Sequence, residues 1–469
     1  MENEKSTGEL LQEKLLLNRK NMGMTNDDDA EQAAQAFCEP YKGFLDRCKT
    51  EREAVSEIVR MASDAGFREF SRHTAYRPGD RVYYNNRGKA LILATIGTRP
   101  IVDGVRIMAS HIDSPRLDLK PSPLYEEGQI ALFKTHYYGG IKKYQWGAIP
   151  LALHGVIVKK DGETLTVAIG EEEGDPVFTV TDLLPHLAQE QMKRPLSQGL
   201  KGEELNVLVG CRPFKDDKAS EKVKLNIIRL LNEKYGIVEA DFLSAELSVV
   251  PAFKARDIGF DRSMIGAYGH DDRVCAYTSL MAALEVSAPS YTTVTVFADK
   301  EETGSDGNTG LHSHYLKFFI KDLASALGGF AGHEVLSNST CLSADVNAAF
   351  DPTFGDTLEK RNCAYLNYGV VVTQYTGSGG KYSTSQASAE FMAQVRRTLD
   401  GAQVSWQTGE LGKVDLGGGG TVAKFIAALD VDVVDVGVPV LSMHSPCEVV
   451  SKNDVYATYQ AFKAYASEA

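Results

Sequence analysis

The spacing of apolar residues divides the chain into regions that predict different secondary structure. Residues 1–70 are polar overall, with apolar residues at helical spacing that is clearest over residues 51–70, and they predict amphipathic helices. From about Arg81 the pattern changes to short apolar runs at residues 89–96 and 104–110. These runs indicate buried strands.

Residues 120–265 have a different pattern of apolar and polar residues. Alternating or aromatic-rich runs lie between turn signals such as Lys160-Asp161-Gly162, a pattern typical of antiparallel hairpins. After about Gly266, strands alternate with helices, which implies a mostly parallel sheet flanked by helices. The elements predicted there are strands at residues 293–298, 341–345, 369–373 and 431–442, and helices at residues 272–285, 385–399 and 421–429.

The length of the chain favours two structural units, because 469 residues exceed what one hydrophobic core usually serves. We predict the α/β class, with one domain built from residues 1–119 and 266–469. A β-rich domain at residues 120–265 is expected as an insertion into it.

Composition and charge restrict the classes of function. With 43% hydrophobic and 24% charged residues, the chain has the balance of a globular protein. A formal net charge of −13 argues against a nucleic-acid partner, since phosphate binding needs clustered basic residues. No apolar stretch approaches the roughly 20 residues of a membrane span, and no secretory leader is visible. Seven scattered cysteines suit reduced thiols, so a cytoplasmic location is expected.

Five short segments combine side chains able to bind metal ions with a predicted strand or helix end. Four of them follow apolar runs that predict strands, and the fifth opens a predicted helix. Ligands in open α/β sheets gather outside the carboxyl ends of the strands, so we expect these residues to converge in one crevice. The segments are HIDSP from His111, HDDR from His270, DKEETGS from Asp299, SAD from Ser343 and MHS from Met443.

The residue types in these segments point to metal binding. Histidines and carboxylates form a mixed nitrogen and oxygen ligand set that suits Zn²⁺, Co²⁺ or Mn²⁺. Without a thiolate, an iron–sulfur or electron-transfer role is disfavoured. Taken singly, such residues are more often structural or surface charges. Here each lies beside an apolar run, where an unpaired charge is costly, and together they favour a metal site.

In this order the segments resemble those of the M18 family of clan MH aminopeptidases, from His111 to His444. Residues 184–187 (LPHL), 251–257 (PAFKARD) and 417–421 (GGGGT) agree with the same family. The resemblance implies a metal-dependent aminopeptidase with an α/β zinc-peptidase catalytic domain, flanked by helices, and an inserted dimerisation domain.

The resemblance also implies the ligands of two divalent metal ions per subunit. One ion would be held by His111 and Asp345, and the other by Glu302 and His444. By the same resemblance, Asp271 would bridge them. Such a bridge makes physical sense, since two dications about 3.5–4 Å apart repel strongly and need anionic charge between them. Zinc is the expected metal, with cobalt or manganese as alternatives.

Two further carboxylates are assigned to catalysis. Glu301 is the candidate general base, because its neighbour Glu302 is committed to metal and successive side chains of an extended segment diverge. Asp113 lies two residues after His111, on the same side of an extended segment, and is expected to accept the other imidazole N–H. An exposed turn residue is the alternative for Asp113. For His270, a structural role is favoured over a third imidazole near the metal ions.

Substrate contacts are expected from other segments. Gly418 and Gly419 allow the backbone to approach a peptide closely, and the GxxxxGK[ST] pattern of a nucleotide site is missing. Lys381 aligns with a basic residue that in the family faces an acidic first residue of the substrate; an ordinary loop lysine is the alternative. His186 is a candidate for reaching a neighbouring active site, although Glu190 stands where eukaryotic members have a second histidine.

The expected function is the removal of N-terminal residues from peptides, with acidic first residues as one option. Homo-oligomers are implied by the resemblance, as dimers that assemble into a larger particle such as a dodecamer. Two alternatives stay open at this point. One is another clan MH co-catalytic metallohydrolase, such as an M42-like aminopeptidase or an N-acyl amino acid deacylase. The other is a non-enzymatic assembly protein.

Overall fold

The computed structural model describes residues 5–468. The helices in chain order are α1 (Thr7–Leu15), α2 (Asp28–Arg47), α3 (Glu51–Asp64), α4 (Gln189–Met192), α5 (Lys222–Tyr235), α6 (His270–Glu285), α7 (Tyr315–Ala326), α8 (Gly332–Ser337), α9 (Ala389–Gly401), α10 (Ala423–Ala427) and α11 (Lys452–Ala466).

The strands in chain order are β1 (Arg68–Glu69), β2 (Arg81–Asn86), β3 (Ala90–Thr95), β4 (Val105–His111), β5 (Arg116–Glu127), β6 (Ile130–Tyr138), β7 (Leu151–Val158), β8 (Thr164–Ile169), β9 (Thr179–Val180), β10 (Val207–Gly210), β11 (Ala245–Pro251), β12 (Arg256–Ile258), β13 (Met264–Ala267), β14 (Thr292–Ala298), β15 (Thr340–Ser343), β16 (Asn347–Ala348), β17 (Val370–Thr373), β18 (Trp406–Thr408), β19 (Asp432–Gly437), β20 (Pro439–Leu441) and β21 (Glu448–Ser451).

A nine-stranded sheet has the mostly parallel pairing that the βα alternation predicts. Its order is β1-β2-β3-β14-β4-β15-β19-β17-β18. The central strands β14, β4, β15 and β19 run parallel, and their outer neighbours β3 and β17 run antiparallel to them. The predicted α/β class is therefore confirmed.

Strand β3 shows how helices cover both faces of this sheet. Leu91 and Leu93 pack in a core shared with α2, α3, α6 and α11, whereas Ile92 and Ala94 pack in a second core shared with α7, α8 and α10. Successive side chains of a strand point to opposite faces. A strand that is buried on both faces is apolar throughout, and this explains the continuous apolar run of residues 90–95.

Residues 116–251 form a seven-stranded sheet with a core of its own. Its order is β8-β7-β11-β5-β6-β10-β9, and every pair is antiparallel. Its buried residues include Phe133, Trp146 and Val249, and they form a cluster separate from the two cores of the larger sheet. Helix α5 packs on strands β5, β6 and β10. The alternating apolar runs between turn signals, which predicted antiparallel hairpins, correspond to the strands of this sheet.

The two-domain division stays a prediction, and both predicted boundaries fall inside strands. The boundary at residues 119 and 120 lies within β5, and the boundary at residues 265 and 266 lies within β13. Strand β13 belongs to a third sheet of order β12-β13-β21-β20-β16.

The apolar run at residues 431–442 is two strands rather than the one predicted. Strand β19 belongs to the nine-stranded sheet and β20 to the third sheet, so the chain changes sheets near Val438. Two predicted helices are also shorter than expected. Helix α9 begins at Ala389, because the Ser388 hydroxyl accepts the N–H of Phe391 as a helix cap, and α10 covers only residues 423–427.

Gly104 precedes the central strand β4 and generates a prediction for stability. Its φ of 99° and ψ of 171° are almost restricted to glycine, and an added Cβ would lie 1.9 Å from the Asn338 carbonyl oxygen. We expect Gly104→Ala to lower the free energy of unfolding by about 3 kcal/mol or more. Gly128→Ala is the control, because φ is 57° there and an added Cβ would meet nothing within 4 Å. It should cost about 1–2 kcal/mol. Equal losses in urea denaturation would contradict the steric explanation.

Candidate metal centre

Four of the five predicted ligands lie at or just after the end of a strand. Three of these strands are parallel neighbours in the nine-stranded sheet. His111 ends β4, Glu302 follows β14, and Asp345 follows β15. Register pairs Ala298 with His111 and Ser343 with Ala109, so these strands end at the same edge. Asp271 lies at the start of α6. His444 follows β20 in the third sheet, not a strand of the large sheet as predicted.

The Asp271 carboxylate lies between the two imidazoles. His111 Nε2 is 3.2 Å from Asp271 Oδ1, and His444 Nε2 is 3.1 Å from Asp271 Oδ2. His111 Nε2 is also 3.9 Å from Asp345 Oδ1, and His444 Nε2 is 3.5 Å from Glu302 Oε2. The side chains thus form two adjoining sets, each with its ligand atoms within 4.8 Å of one another, that share Asp271.

The electrostatics of these residues fit a bound cation. Burial, together with the nearby Asp271 carboxylate, raises the pKa of Glu302 well above its usual range, and Glu302 Oε1 is buried without a hydrogen-bond partner. Burial opposes charge on His444, yet its hydrogen bond to Asp271 and the nearby Glu302 raise its pKa to about 10. An environment that stabilises imidazolium so strongly would also stabilise a metal dication. The donor set therefore suits a metal such as zinc.

Glu301 lies beside the same cluster. Its Oε2 is 3.9 Å from His111 Nε2, and only 17% of its side chain is exposed. Burial, partly offset by His111, raises the pKa of Glu301 to about 7. A carboxyl group with a pKa near neutrality is suited to accept and return a proton.

Asp113 is fully buried, so its alternative interpretation as an exposed turn residue is wrong. Its carboxylate accepts the backbone N–H groups of Glu301 at 3.1 Å and Glu302 at 3.2 Å. The Nδ1 atom of His111 is 3.3 Å from Asp113 Oδ1 and 3.0 Å from the Asp113 carbonyl oxygen. The expected contact with the imidazole therefore involves the backbone of Asp113 as well as its carboxylate.

His270 lies apart from the ligands. It is buried between the Tyr41 hydroxyl, 2.8 Å from Nδ1, and the Ile265 carbonyl oxygen, 3.2 Å from Nε2. Burial lowers the pKa of His270 to about 3, so the imidazole is neutral. The structural role favoured from the sequence agrees with these contacts.

Two groups outside the predicted set hold the candidate ligands in position. Glu448 is buried, and its carboxylate accepts the backbone N–H of Asp271 at 3.0 Å and of His444 at 2.7 Å. The carbonyl of Gly140, just after β6, accepts a hydrogen bond from His444 Nδ1 at 2.8 Å. Only the position of Glu448, four residues after His444, offered a signal in the sequence.

The predicted substrate residues lie outside this cluster. Lys381 is exposed, with Nζ 3.8 Å from the centre of the Tyr375 ring and 3.2 Å from Gln386 Oε1. Gly418 has a φ of 109°, and an added Cβ would lie 2.4 Å from the Gly377 carbonyl oxygen. The loop at residues 417–420 therefore packs on the segment that carries Lys381. His186 is exposed between β9 and α4.

A cavity of about 670 Å³ opens beside His444. Its walls combine aromatic, aliphatic and charged side chains, so it could receive part of a peptide. The lining residues include Gly140, Lys142, Tyr144, Asp351, Phe354 and Met443.

An open α/β sheet with two adjoining mixed ligand sets near its strand ends is an architecture suited to a metal-dependent hydrolase. Residues 44–466 match the family model described as Aminopeptidase I zinc metalloprotease (M18). The chain belongs to the M18 family, and the protein is a zinc aminopeptidase, a peptide hydrolase that removes N-terminal residues. This excludes the M42-like, deacylase and non-enzymatic alternatives.

Individual relatives agree with the family assignment. A probable M18 family aminopeptidase 1 from Clostridium acetobutylicum is 49% identical over 458 residues, which cover 96% of this chain and 98% of that protein. A crystal structure of an M18 family aminopeptidase from Thermotoga maritima has a TM-score of 0.93 at 44% identity, covering 97% of this chain and 100% of that one. The S. cerevisiae mApe1 dodecamer shares the fold, with a TM-score of 0.74 at 21% identity and coverage of 93% of this chain and 97% of that one.

Within residues 5–468, none of the helices combines the length and apolar character needed to cross a membrane.

Glu448 generates a prediction for zinc binding. Glu448→Gln keeps the size of the side chain but presents an NH₂ group to one of the two backbone N–H donors. Because partners of ligating groups tune metal binding, we expect about 10- to 100-fold weaker zinc affinity in a chelator competition assay. Asp454→Asn is the matched control, since Asp454 is buried and accepts the N–H groups of Asn367 and Gly369 away from the ligands. Equal loss of zinc affinity in both variants would contradict a specific role for Glu448.

Proposed function

We propose that the protein removes N-terminal residues from peptides with two zinc ions per chain and Glu301 as general base. The observation that carries this proposal is the pair of ligand sets joined by Asp271. His111 and Asp345 would hold one ion, and Glu302 and His444 the other. Bound in this way, the ions would activate a water molecule for attack and polarise the scissile carbonyl.

Asp271 is suited to bridge because its two oxygens face different imidazoles. Burial alone would raise the pKa of Asp271, but hydrogen bonds from His111 and His444 hold it below the usual range, so the carboxylate stays ionised. An ionised carboxylate between two dications offsets their repulsion, and the carboxylates of Asp345 and Glu302 add to this effect.

Glu301 would accept a proton from the attacking water and pass it to the leaving amine. Its partial burial and its distance of 3.9 Å from His111 support this role, since a general base must lie within reach of the reacting groups. Asp113 would support the base by accepting the N–H of Glu301 and by facing the imidazole of His111.

Substrate recognition is proposed for Lys381, Gly418, Gly419 and His186. The packing of Gly418 against Gly377 joins the glycine loop to the segment with Lys381, which supports one substrate-binding surface. An acidic first residue of the substrate would need a cation such as Lys381, released from its contacts with Tyr375 and Gln386. His186 would act across a subunit boundary, for which its exposure in the segment between β9 and α4 is a requirement.

The proposed protein is a homo-oligomer located in the cytoplasm. Between β8 and β10, six large apolar side chains are exposed, among them Leu187 at 70% and Leu196 at 65%. Exposed large apolar side chains concentrated in one segment of the chain favour a protein interface there. The seven cysteines are free thiols, as suits a reducing compartment.

The first test concerns the base. Glu301→Gln keeps size and shape but cannot accept a proton, so kcat should fall by at least about 100-fold while bound zinc persists. The measurement combines initial rates on aminoacyl p-nitroanilides with zinc analysis. Glu302→Gln is the contrast, because loss of a ligand should reduce zinc content as well. Near-normal turnover of Glu301→Gln with zinc bound would reject the assignment.

The second test concerns the first residue of the substrate. If Lys381 pairs with an acidic side chain, Lys381→Ala removes a contact worth about 1.5–3 kcal/mol, on the order of 10- to 150-fold in kcat/KM. Leucyl substrates should be nearly unaffected. Lys234→Ala is the control, since Lys234 also lies over an aromatic ring, at 5.1 Å from the Tyr235 centre, but on helix α5, which packs on the seven-stranded sheet. Equal losses for aspartyl and leucyl substrates in Lys381→Ala would exclude a role in acidic specificity.

The third test concerns assembly. Light scattering at micromolar concentration should give a particle larger than one chain, and Leu187→Asp with Leu196→Asp should reduce its mass, because charges are costly in an apolar interface. Leu16→Asp, at an exposed position of the N-terminal segment, serves as the control. A wild-type monomer would contradict the proposed oligomer.

A further inference from the structure

The antiparallel sheet of residues 116–251 supplies one side chain that hydrogen-bonds next to the metal-facing residues. This side chain is Tyr138, the last residue of β6. Its hydroxyl donates to Asp113 Oδ2 at 2.7 Å, the shortest hydrogen bond that the Asp113 carboxylate receives. Tyr138 is 8% exposed and Asp113 is fully buried, so water has little access to this contact.

The Tyr138 ring is itself held by neighbouring cations. The guanidinium carbon of Arg116 lies 4.3 Å from the ring centre, and Lys300 Nζ lies 5.3 Å from it. Arg116 in turn donates to Glu51 at 2.7 Å and to Asp118 at 2.8 Å. Because these ion pairs are largely buried, the ring has little freedom to move, and its hydroxyl has a fixed position.

The Asp113 carboxylate connects this hydroxyl to three groups of the metal centre. Oδ1 accepts the N–H of Glu301 and faces His111 Nδ1, and Oδ2 accepts the N–H of Glu302. Without Tyr138, Oδ2 would keep only the 3.2 Å contact with Glu302. The carboxylate could then turn about its Cβ–Cγ bond.

We propose that Tyr138 is a positioning residue for the reaction: its hydroxyl fixes the Asp113 carboxylate and, through it, the His111 imidazole and the Glu301–Glu302 backbone. The proposal rests on the roles proposed above for His111, Glu301 and Glu302. It makes the antiparallel sheet part of the catalytic apparatus and not only a candidate surface for assembly. Partners that orient metal ligands commonly change metal affinity when they are removed.

The test compares Tyr138→Phe with Tyr137→Phe. Phenylalanine keeps the ring between its neighbours and removes only the hydroxyl. Tyr137 precedes Tyr138 on the opposite face of β6 and is 39% exposed, so Tyr137→Phe is a matched control. Tyr138→Phe should bind zinc about 10- to 100-fold more weakly in chelator competition, and the zinc-loaded enzyme should show a lower kcat with KM changed less than about twofold. The control should match the wild type.

A double-mutant cycle with Asp113→Asn separates positioning from general loss of stability. If Tyr138 acts through Asp113, the combined variant should lose little more zinc affinity than Asp113→Asn alone. Additive losses, or a zinc affinity of Tyr138→Phe equal to that of the wild type, would overturn the proposal. The melting temperatures of the metal-free variants show whether each variant folds, and the cycle can also be run with Tyr138→Leu should the phenylalanine variant fail to fold.

His111→Ala distinguishes this proposal from the proposed metal site. Zinc loss in His111→Ala with normal zinc affinity in Tyr138→Phe would reject the role of Tyr138 and leave the metal site standing. Normal zinc affinity in His111→Ala would contradict the metal site itself.

Discussion

The need to balance closely spaced carboxylates at one edge of the sheet is the constraint on which the rest of the metal centre depends. Asp113, Asp271, Glu301, Glu302 and Asp345 are buried or nearly so. Unit charges of like sign 4 Å apart repel by about 4 kcal/mol at an effective dielectric constant near 20. Two imidazoles offset only part of this repulsion. In the proposed dinuclear site, a pair of dications between the carboxylates would offset the rest, so the cluster would be favourable as a metal site but costly as a purely structural one.

Hydrogen bonds from several segments of the fold fix the positions of these charged side chains. Glu448 fixes the main chain at Asp271 and His444, Asp113 fixes it at Glu301 and Glu302, and the Gly140 carbonyl orients the His444 ring. Because Gly140 lies two residues after β6, residues outside the nine-stranded sheet contribute to the geometry of the centre. Groups that are not themselves candidate ligands therefore decide how well the candidate ligands are placed.

Much of this arrangement could be predicted from the sequence. All five ligands implied by the resemblance to the M18 family lie in the two adjoining sets. Polar segments after apolar runs also marked the strand ends near His111, Glu302 and Asp345. Gly140 could not be found this way, since its hydrogen bond to His444 joins residues far apart in the sequence. Glu448 lies only four residues from His444, but its second contact, with Asp271, is long-range and leaves no local pattern. The division of residues 431–442 into β19 and β20 was also missed, because an apolar run looks the same whether or not the chain changes sheets. The contacts of Lys381 with Tyr375 and Gln386 depend on loop packing, which periodicity does not report.

The shared carboxylate is tested most directly by titrating zinc into the metal-free protein and counting bound ions by elemental analysis. The wild type should bind two zinc ions per chain. Asp271→Ala should lose tight binding at both positions together, because each ligand set contains Asp271. A wild type that saturates with one zinc ion, or an Asp271→Ala variant that still holds two tightly, would contradict a dinuclear centre organised around this residue.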